Sequence, residues 1–113
     1  METTRQLRVA RLLQKEMGEL FQREITNYNG AFISITKVRI SPDLSHAKMY
    51  LSIFGKVPQA ETMLLVKTNH RDIRGKMGTR IGKQLRIVPE FEYFLDDSAE
   101  YAEHIEELLK KKT

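Results

Sequence analysis

The chain has 113 residues, 30% of them charged and 41% hydrophobic, with 19 Lys/Arg against 15 Asp/Glu and no cysteine. That length makes one domain, 1–113, able to bury roughly 65% of its unfolded surface in a single core without disulfides. The missing cysteines fit a reducing cytosol and argue against a zinc site, and the longest apolar run, Met63–Val66, is far too short to span a membrane.

Thr3 or Thr4 can cap a first helix running to about Glu24. A start this charged is not a signal peptide. At 100° per residue, Val9, Ala10, Leu13, Met17, Leu20 and Phe21 share one side of the helix. Arg8, Arg11 and Lys15 share the other, with Arg5 at its margin. For this helix alone, a solvated outer face is the better explanation of such a stripe. The helix ends in Ile25–Gly30, where Asn29-Gly30 suits left-handed backbone.

Two strands follow, Ala31–Ile40 and His46–Phe54, joined by Ser41-Pro42-Asp43-Leu44-Ser45. The proline fixes φ and the Ser and Asp side chains can bond nearby amides, so the pair reads as an antiparallel hairpin. In the second strand Ala47, Met49, Leu51 and Ile53 alternate with His46, Lys48 and Ser52, which predicts one buried and one wet face. In the first, Ile33 and Ile35 are out of phase with Val38 and Ile40. A β-bulge is therefore expected near Thr36–Lys37.

Beyond Gly55–Pro58, the chain from Gln59 to about Leu85 is helical but broken. Met63, Leu64 and Leu65 anchor one piece, while Ile73, Met77, Ile81 and Leu85 stripe another. The polar run Lys67–Asp72 separates them, with a kink expected at Asn69, His70 and Arg71. The second piece carries Lys76, Arg80 and Lys83 on one side and Gly75, Gly78 and Gly82 on another. A helical glycine costs about 1 kcal/mol relative to alanine, so three imply that a backbone, from the core or a ligand, approaches closely. Leu85–Leu95 reads as a third strand, with Pro89 at its start, an edge or a bulge. Asp96-Asp97-Ser98 then caps a last helix striped by Ala102, Ile105, Leu108 and Leu109, with acids early and Lys110–Lys112 last. The result is an α+β domain, a three-stranded sheet with helices packed on one face, in the element order of the type II KH fold.

Charge is divided unevenly along this order. From Met1 to Pro89, 16 Lys/Arg stand against 7 Asp/Glu, a surplus of +9; from Glu90 onward the balance is −5. Such asymmetry suits a polyanion approached with one face, although basic charge also keeps a small protein in solution. The densest cluster is Arg71, Arg74, Lys76, Arg80 and Lys83, with Arg86 just beyond, beside the element that KH folds use for nucleic acid. Arg74, Lys76, Arg80 and Lys83 are the expected main phosphate contacts, with Arg8, Arg11 and Lys15 in support.

Three stretches carry a resemblance. They are Arg8-Val9-Ala10 with Gln14-Lys15-Glu16, the hairpin Val38–Tyr50, and Leu85–Phe91 followed by Leu95-Asp96-Asp97-Ser98. Together they resemble the ribosome-binding factor A family, from the first helix to the last, and the hairpin signature is highly specific in combination. The resemblance implies a type II KH-like domain that binds the immature small (30S) ribosomal subunit and contacts 16S rRNA. It implies a role in late maturation, including processing of the precursor 5′ end, notably in the cold. A cytoplasmic monomer is expected, with no cofactor and no membrane association, favouring free 30S subunits over 70S ribosomes. Two departures stand out: Asn27-Tyr28-Asn29 replaces a frequent Asp-Pro-Arg, and Asn69-His70-Arg71 a common Ala-x-Gly kink.

Other chemistries find less to build on. Gly75-Lys76-Met77-Gly78 spells the GxxG clamp of ordinary KH loops, but Met77 belongs to the apolar stripe of a continuous helix. His46, His70 and His104 are scattered, and Asp96-Asp97 is better explained as helix capping than as an acid/base pair. No nucleotide-binding glycine motif follows a strand. The competing readings are a small nuclease, a protein-binding adaptor using the acidic last helix, and another KH-like RNA-binding or ribosome-associated stress protein without a maturation role. Salt-sensitive RNA binding without turnover separates an RNA-binding factor from the nuclease and the adaptor.

Overall fold

Thr3 starts the first helix, α1 (Thr4–Arg23), through a reciprocal capping box: Gln6 N–H donates to Thr3 Oγ1 at 3.1 Å, and Thr3 N–H to Gln6 Oε1 at 2.8 Å. A cap of this kind stabilises a helix by about 1 kcal/mol. The computed structural model describes residues 3–24 and 30–96. Asn27-Tyr28-Asn29 and the expected last helix lie outside them. The remaining elements are β1 (Phe32–Ile40), β2 (His46–Phe54), α2 (Gln59–Thr68), α3 (His70–Ile81) and β3 (Glu90–Leu95).

β1 and β2 pair antiparallel, and β3 lies parallel to β2 on its other side, reached by the α2–α3 crossover that parallel pairing requires. Leu13, Met17 and Leu20 of α1 are fully buried with Met49 and Leu51 of β2 and Ile73, Met77 and Ile81 of α3. Each such side chain contributes about 1.5–3 kcal/mol relative to exposure. No helix among the described residues is long and apolar enough to cross a membrane.

The expected bulge is present. Pairing shifts register between Ile35 and Lys37, leaving Thr36 as the extra residue. A bulge frees backbone carbonyls, and Gln14 Nε2 of α1 takes two of them, Ile35 O at 3.2 Å and Thr36 O at 3.3 Å. Gln6 does the same at the strand's end, its buried Nε2 donating to Ile40 O at 3.2 Å. The sequence gives neither glutamine a structural role, because an amide on an amphipathic helix looks like ordinary solvated polarity.

The turn between β1 and β2 is held by one carboxylate. Asp43 Oδ1 accepts from Ser41 Oγ, Ser45 Oγ and Ser45 N–H at 2.7, 2.7 and 3.1 Å, while Leu44 takes left-handed backbone at φ 62°. The Ser45 and Ser41 hydroxyls lower the Asp43 pKa from 3.8 to about 2. A folded pKa below the unfolded one contributes stability that is present above the unfolded value and lost as pH falls through the folded one. Exchange protection of the Ser45 and His46 amides is therefore expected to fall between pH 4 and pH 2, and Asp43→Asn to abolish that step when followed by NMR.

Four expectations are corrected. The third strand begins at Glu90, not Leu85. β2 begins at His46, which pairs with Glu90, so residues 85–89 have no strand beside them. Pro89 cannot donate, and Glu90 N–H makes the first bond, to Ser45 O at 2.8 Å. The helix correspondingly ends at Ile81 rather than Leu85. In α2 the anchors are Thr62, Met63 and Val66, while Leu64 is 67% exposed. Finally, no core backbone crowds the glycines: a Cβ on Gly75 would meet nothing within 4 Å, and one on Gly78 only Val88 Cγ2 at 3.6 Å. Gly82 alone is sterically required, since a Cβ there would lie 2.7 Å from the Gly78 carbonyl oxygen as the helix ends. The GxxG stretch lies inside α3 with Met77 fully buried, so it forms no clamp loop.

Candidate nucleic-acid interface

The fold redistributes the basic residues. Arg80, expected at the RNA face, points back across the domain to α1. Its Nε donates to Glu16 at 2.9 Å, Nη2 to Glu19 at 2.6 Å and Nη1 to Glu24 at 3.5 Å. The Arg80 and Glu16 side chains are only 20% and 16% exposed. Burial alone would pull the guanidinium pKa down, but the Glu16 hydrogen bond and the charges of Glu16, Glu24 and Glu19 raise it instead. This is a helix-to-helix tie that engages three of its five N–H donors.

Arg74 is engaged in a similar way. Its Nη2 donates to Val88 O at 2.9 Å and lies 3.3 Å from the Glu90 carboxylate, fastening the segment before β3 to α3. Lys76 pairs with Asp72 one turn earlier at 3.4 Å. Arg71 and Lys83 are exposed, with no ion-pair partner among the described residues.

The kink falls where expected. Asn69 leaves helical geometry at φ −96°, ψ 20°. Its N–H and its Nδ2 both donate to Leu65 O, at 3.0 and 2.8 Å, so the side chain helps close α2. His70 then turns toward β3, its ring edge-on to Tyr93 at 5.7 Å and its Nδ1 3.4 Å from the Tyr93 hydroxyl. Between kink and β3 lies a groove of about 340 Å³ lined by Lys67, His70, Phe91, Glu92, Tyr93 and Phe94. One lysine against one glutamate makes it a weak anion site.

A second groove is different. About 530 Å³ in volume, it runs between the start of α1, the β1–β2 turn and the chain after α3. Arg5, Arg8 and Arg86 stand around it above Val9, Leu44, Leu85 and Ile87. All three arginines are exposed and have no ion-pair partner among the described residues. Ile87, 74% exposed, sits at the rim. Asp43 also lines the groove as an ionised carboxylate held by the two serines, one negative charge against the three arginines. Arg5 and Arg8 stand some 80 residues before Arg86 in the chain, so helix periodicity could not show that they meet. Arg11 and Lys15 continue the exposed side of α1 away from this groove. Among the described residues no group of His, Asp and Glu is arranged to hold a metal ion.

A family model described as ribosome-binding factor A matches residues 5–109 of the sequence. The chain belongs to the ribosome-binding factor A family. Its similarity to ribosome-binding factor A of Cytophaga hutchinsonii is 45% identity, covering 100% of this chain and 86% of that protein. With the Christiangramia forsetii protein it shares 38% identity over 98% of this chain and 86% of the other. The crystal structure of ribosome-binding factor A from Thermus thermophilus superimposes with a TM-score of 0.67 at 17% identity, covering 80% of this chain and 94% of that one. A homology model of the Thermus thermophilus factor, fitted into a cryo-EM map of a complex with the 30S subunit, gives 0.62 at 18% identity over 78% and 91%. Within the ribosome-binding factor A frame, the Asn69-His70-Arg71 departure still produces a kink, because the asparagine amide bonds Leu65 O.

Proposed function

We propose that the chain is a ribosome-assembly factor that binds the immature 30S subunit through 16S rRNA, with the Arg5–Arg8–Arg86 groove as its main phosphate contact. The observation that carries this reading is the convergence on one groove of three arginines without ion-pair partners among the described residues, in a member of this family. Lys83 and Arg71 extend the field, and Arg11 and Lys15 continue it along α1. Arg74, Lys76 and Arg80 stabilise the helices that position it. The Thermus thermophilus relative fitted into a 30S complex supports the choice of partner. The role is late maturation and processing of the 16S precursor 5′ end, with preference for free 30S over 70S, as a cytoplasmic monomer without catalysis.

Phosphate contacts release counterions, so log affinity falls with log salt by about 0.9 per contact. Three arginines predict a loss of about 40-fold between 50 and 200 mM salt, measured by co-sedimentation with precursor 30S subunits. Salt-indifferent binding, or equal binding to 70S ribosomes, would contradict the proposal.

A further inference from the structure

The sheet face turned away from the helices carries a second array. Register places Lys37 opposite Tyr50, Arg39 opposite Lys48, Ser34 opposite Ser52 and Phe32 opposite Phe54, with Phe94 of β3 beside Tyr50. The bulge is what brings the cations here. Without Thr36 as an extra residue, alternation would turn Lys37 and Arg39 into the core and put Val38 and Ile40 outside. Tyr50 and Phe94 stack with centroids 5.5 Å apart and planes at 26°, and Lys48 Nζ lies 5.9 Å from the Phe94 centroid. Phe32 and Phe54 remain 55% and 51% exposed at the other end. Lys37, Arg39 and Lys48 are exposed without ion-pair partners among the described residues.

This face continues round the β1 edge. A cleft of about 520 Å³ between α1 and β1 is lined by Arg11, Gln14, Thr36, Lys37 and Arg39 among others. Two acids border it: Glu92 of β3 pairs in register with Lys48, and the Asp96 carboxylate accepts from Thr36 Oγ1 at the bulge. Arg11, Lys37, Arg39 and Lys48 outnumber them, so a positive track runs from α1 over β1 to the aromatic pair.

We propose that this face binds single-stranded RNA, its backbone along Arg11, Lys37, Arg39 and Lys48 and its bases on Tyr50, Phe94 and the outlying Phe32 and Phe54. The inference rests on the RNA-binding reading above and adds a second surface to it. Every base offers a π-face, so an exposed ring flanked by cations takes unpaired strands with little sequence preference. A duplex keeps its base faces stacked inside and cannot use the rings. A protein partner is disfavoured because Ser34 and Ser52 divide the rings and cations surround them.

Fluorescence anisotropy of a labelled single strand of about 12 nucleotides, with the full chain at low salt, tests this. Tyr50→Ser with Phe94→Ser is expected to weaken binding about tenfold or more. Lys37→Gln with Arg39→Gln, which touches no core residue, is expected to weaken it comparably and flatten the salt dependence. Melting curves confirm that each variant folds. An RNA hairpin of equal length should compete poorly. Unchanged binding by both variants overturns the inference, as does a wild-type chain that sediments with 30S subunits yet ignores the single strand. Variants that keep the strand but lose subunits would assign the face to a ribosomal protein and also overturn it. A wild-type chain that fails to sediment with subunits would instead remove the functional proposal itself.

Discussion

Arg80→Glu is expected to lower the domain's melting temperature by about 10–20 °C, the largest stability effect of any surface-reaching substitution. Among the described residues Arg80 is the one cation paired with Glu16, Glu19 and Glu24, all within 3.5 Å. Removing one partner from a buried ion pair costs about 3–5 kcal/mol. Solvent screening at Glu19 and Glu24, which are 33% and 49% exposed, reduces that figure. Reversing the charge adds repulsion among four carboxylates, so about 3 kcal/mol remains a fair total. The loss would separate α1 from α3, and Arg80→Lys should recover part of it by restoring charge without the planar fork. Circular dichroism melts measure the effect. A normally stable Arg80→Glu chain that fails only in subunit binding would show that the arginine serves RNA after all.

The second large effect is on binding. Arg8→Glu with Arg86→Glu removes two phosphate contacts at the groove and creates two repulsions. At about 1 kcal/mol per contact and half that per exposed repulsion, affinity for precursor subunits should fall roughly 100-fold. The slope of log affinity against log salt should flatten by about two, the signature of contacts that read phosphate rather than base. Melting should barely change, because both arginines are exposed and neither has an ion-pair partner among the described residues. The same reversal at Arg71 and Lys76 is the comparison. Lys76 shares its field with Asp72 through an exposed pair, which lowers the net positive charge at the kink, so the kink pair should cost less. If it costs more, the kink is the primary RNA face and the groove only supports it.

The hairpin shows how far local sequence reaches. Ser41-Pro42-Asp43-Leu44-Ser45 names its own turn, because Asp43 needs only its two neighbouring serines to build it. The bulge was legible for the same reason: a phase change in side-chain alternation has to be absorbed by an extra residue. Asn69 marked the kink because its backbone and amide can close one helix locally. The segment 85–89 misled because Ile87 and Val88 have strand propensity, yet a strand needs a partner, and β2 begins opposite Glu90.

The sequence alone determined the family, the sign of the charge and the order of the described elements, since these follow from spacing within short windows or from residue identity. Tertiary structure decided which charges are free. Arg80 looks as available as Lys83 on a helical wheel, and only the packing of α3 against α1 brings three glutamates around it. Arg5, Arg8 and Arg86 look like unrelated surface residues until the chain after α3 returns past the hairpin turn. Lys37 and Arg39 share the aromatic face only because β1 pairs with β2 across the bulge. Contacts between residues far apart in the chain depend on how elements dock, and no periodicity within one element encodes that.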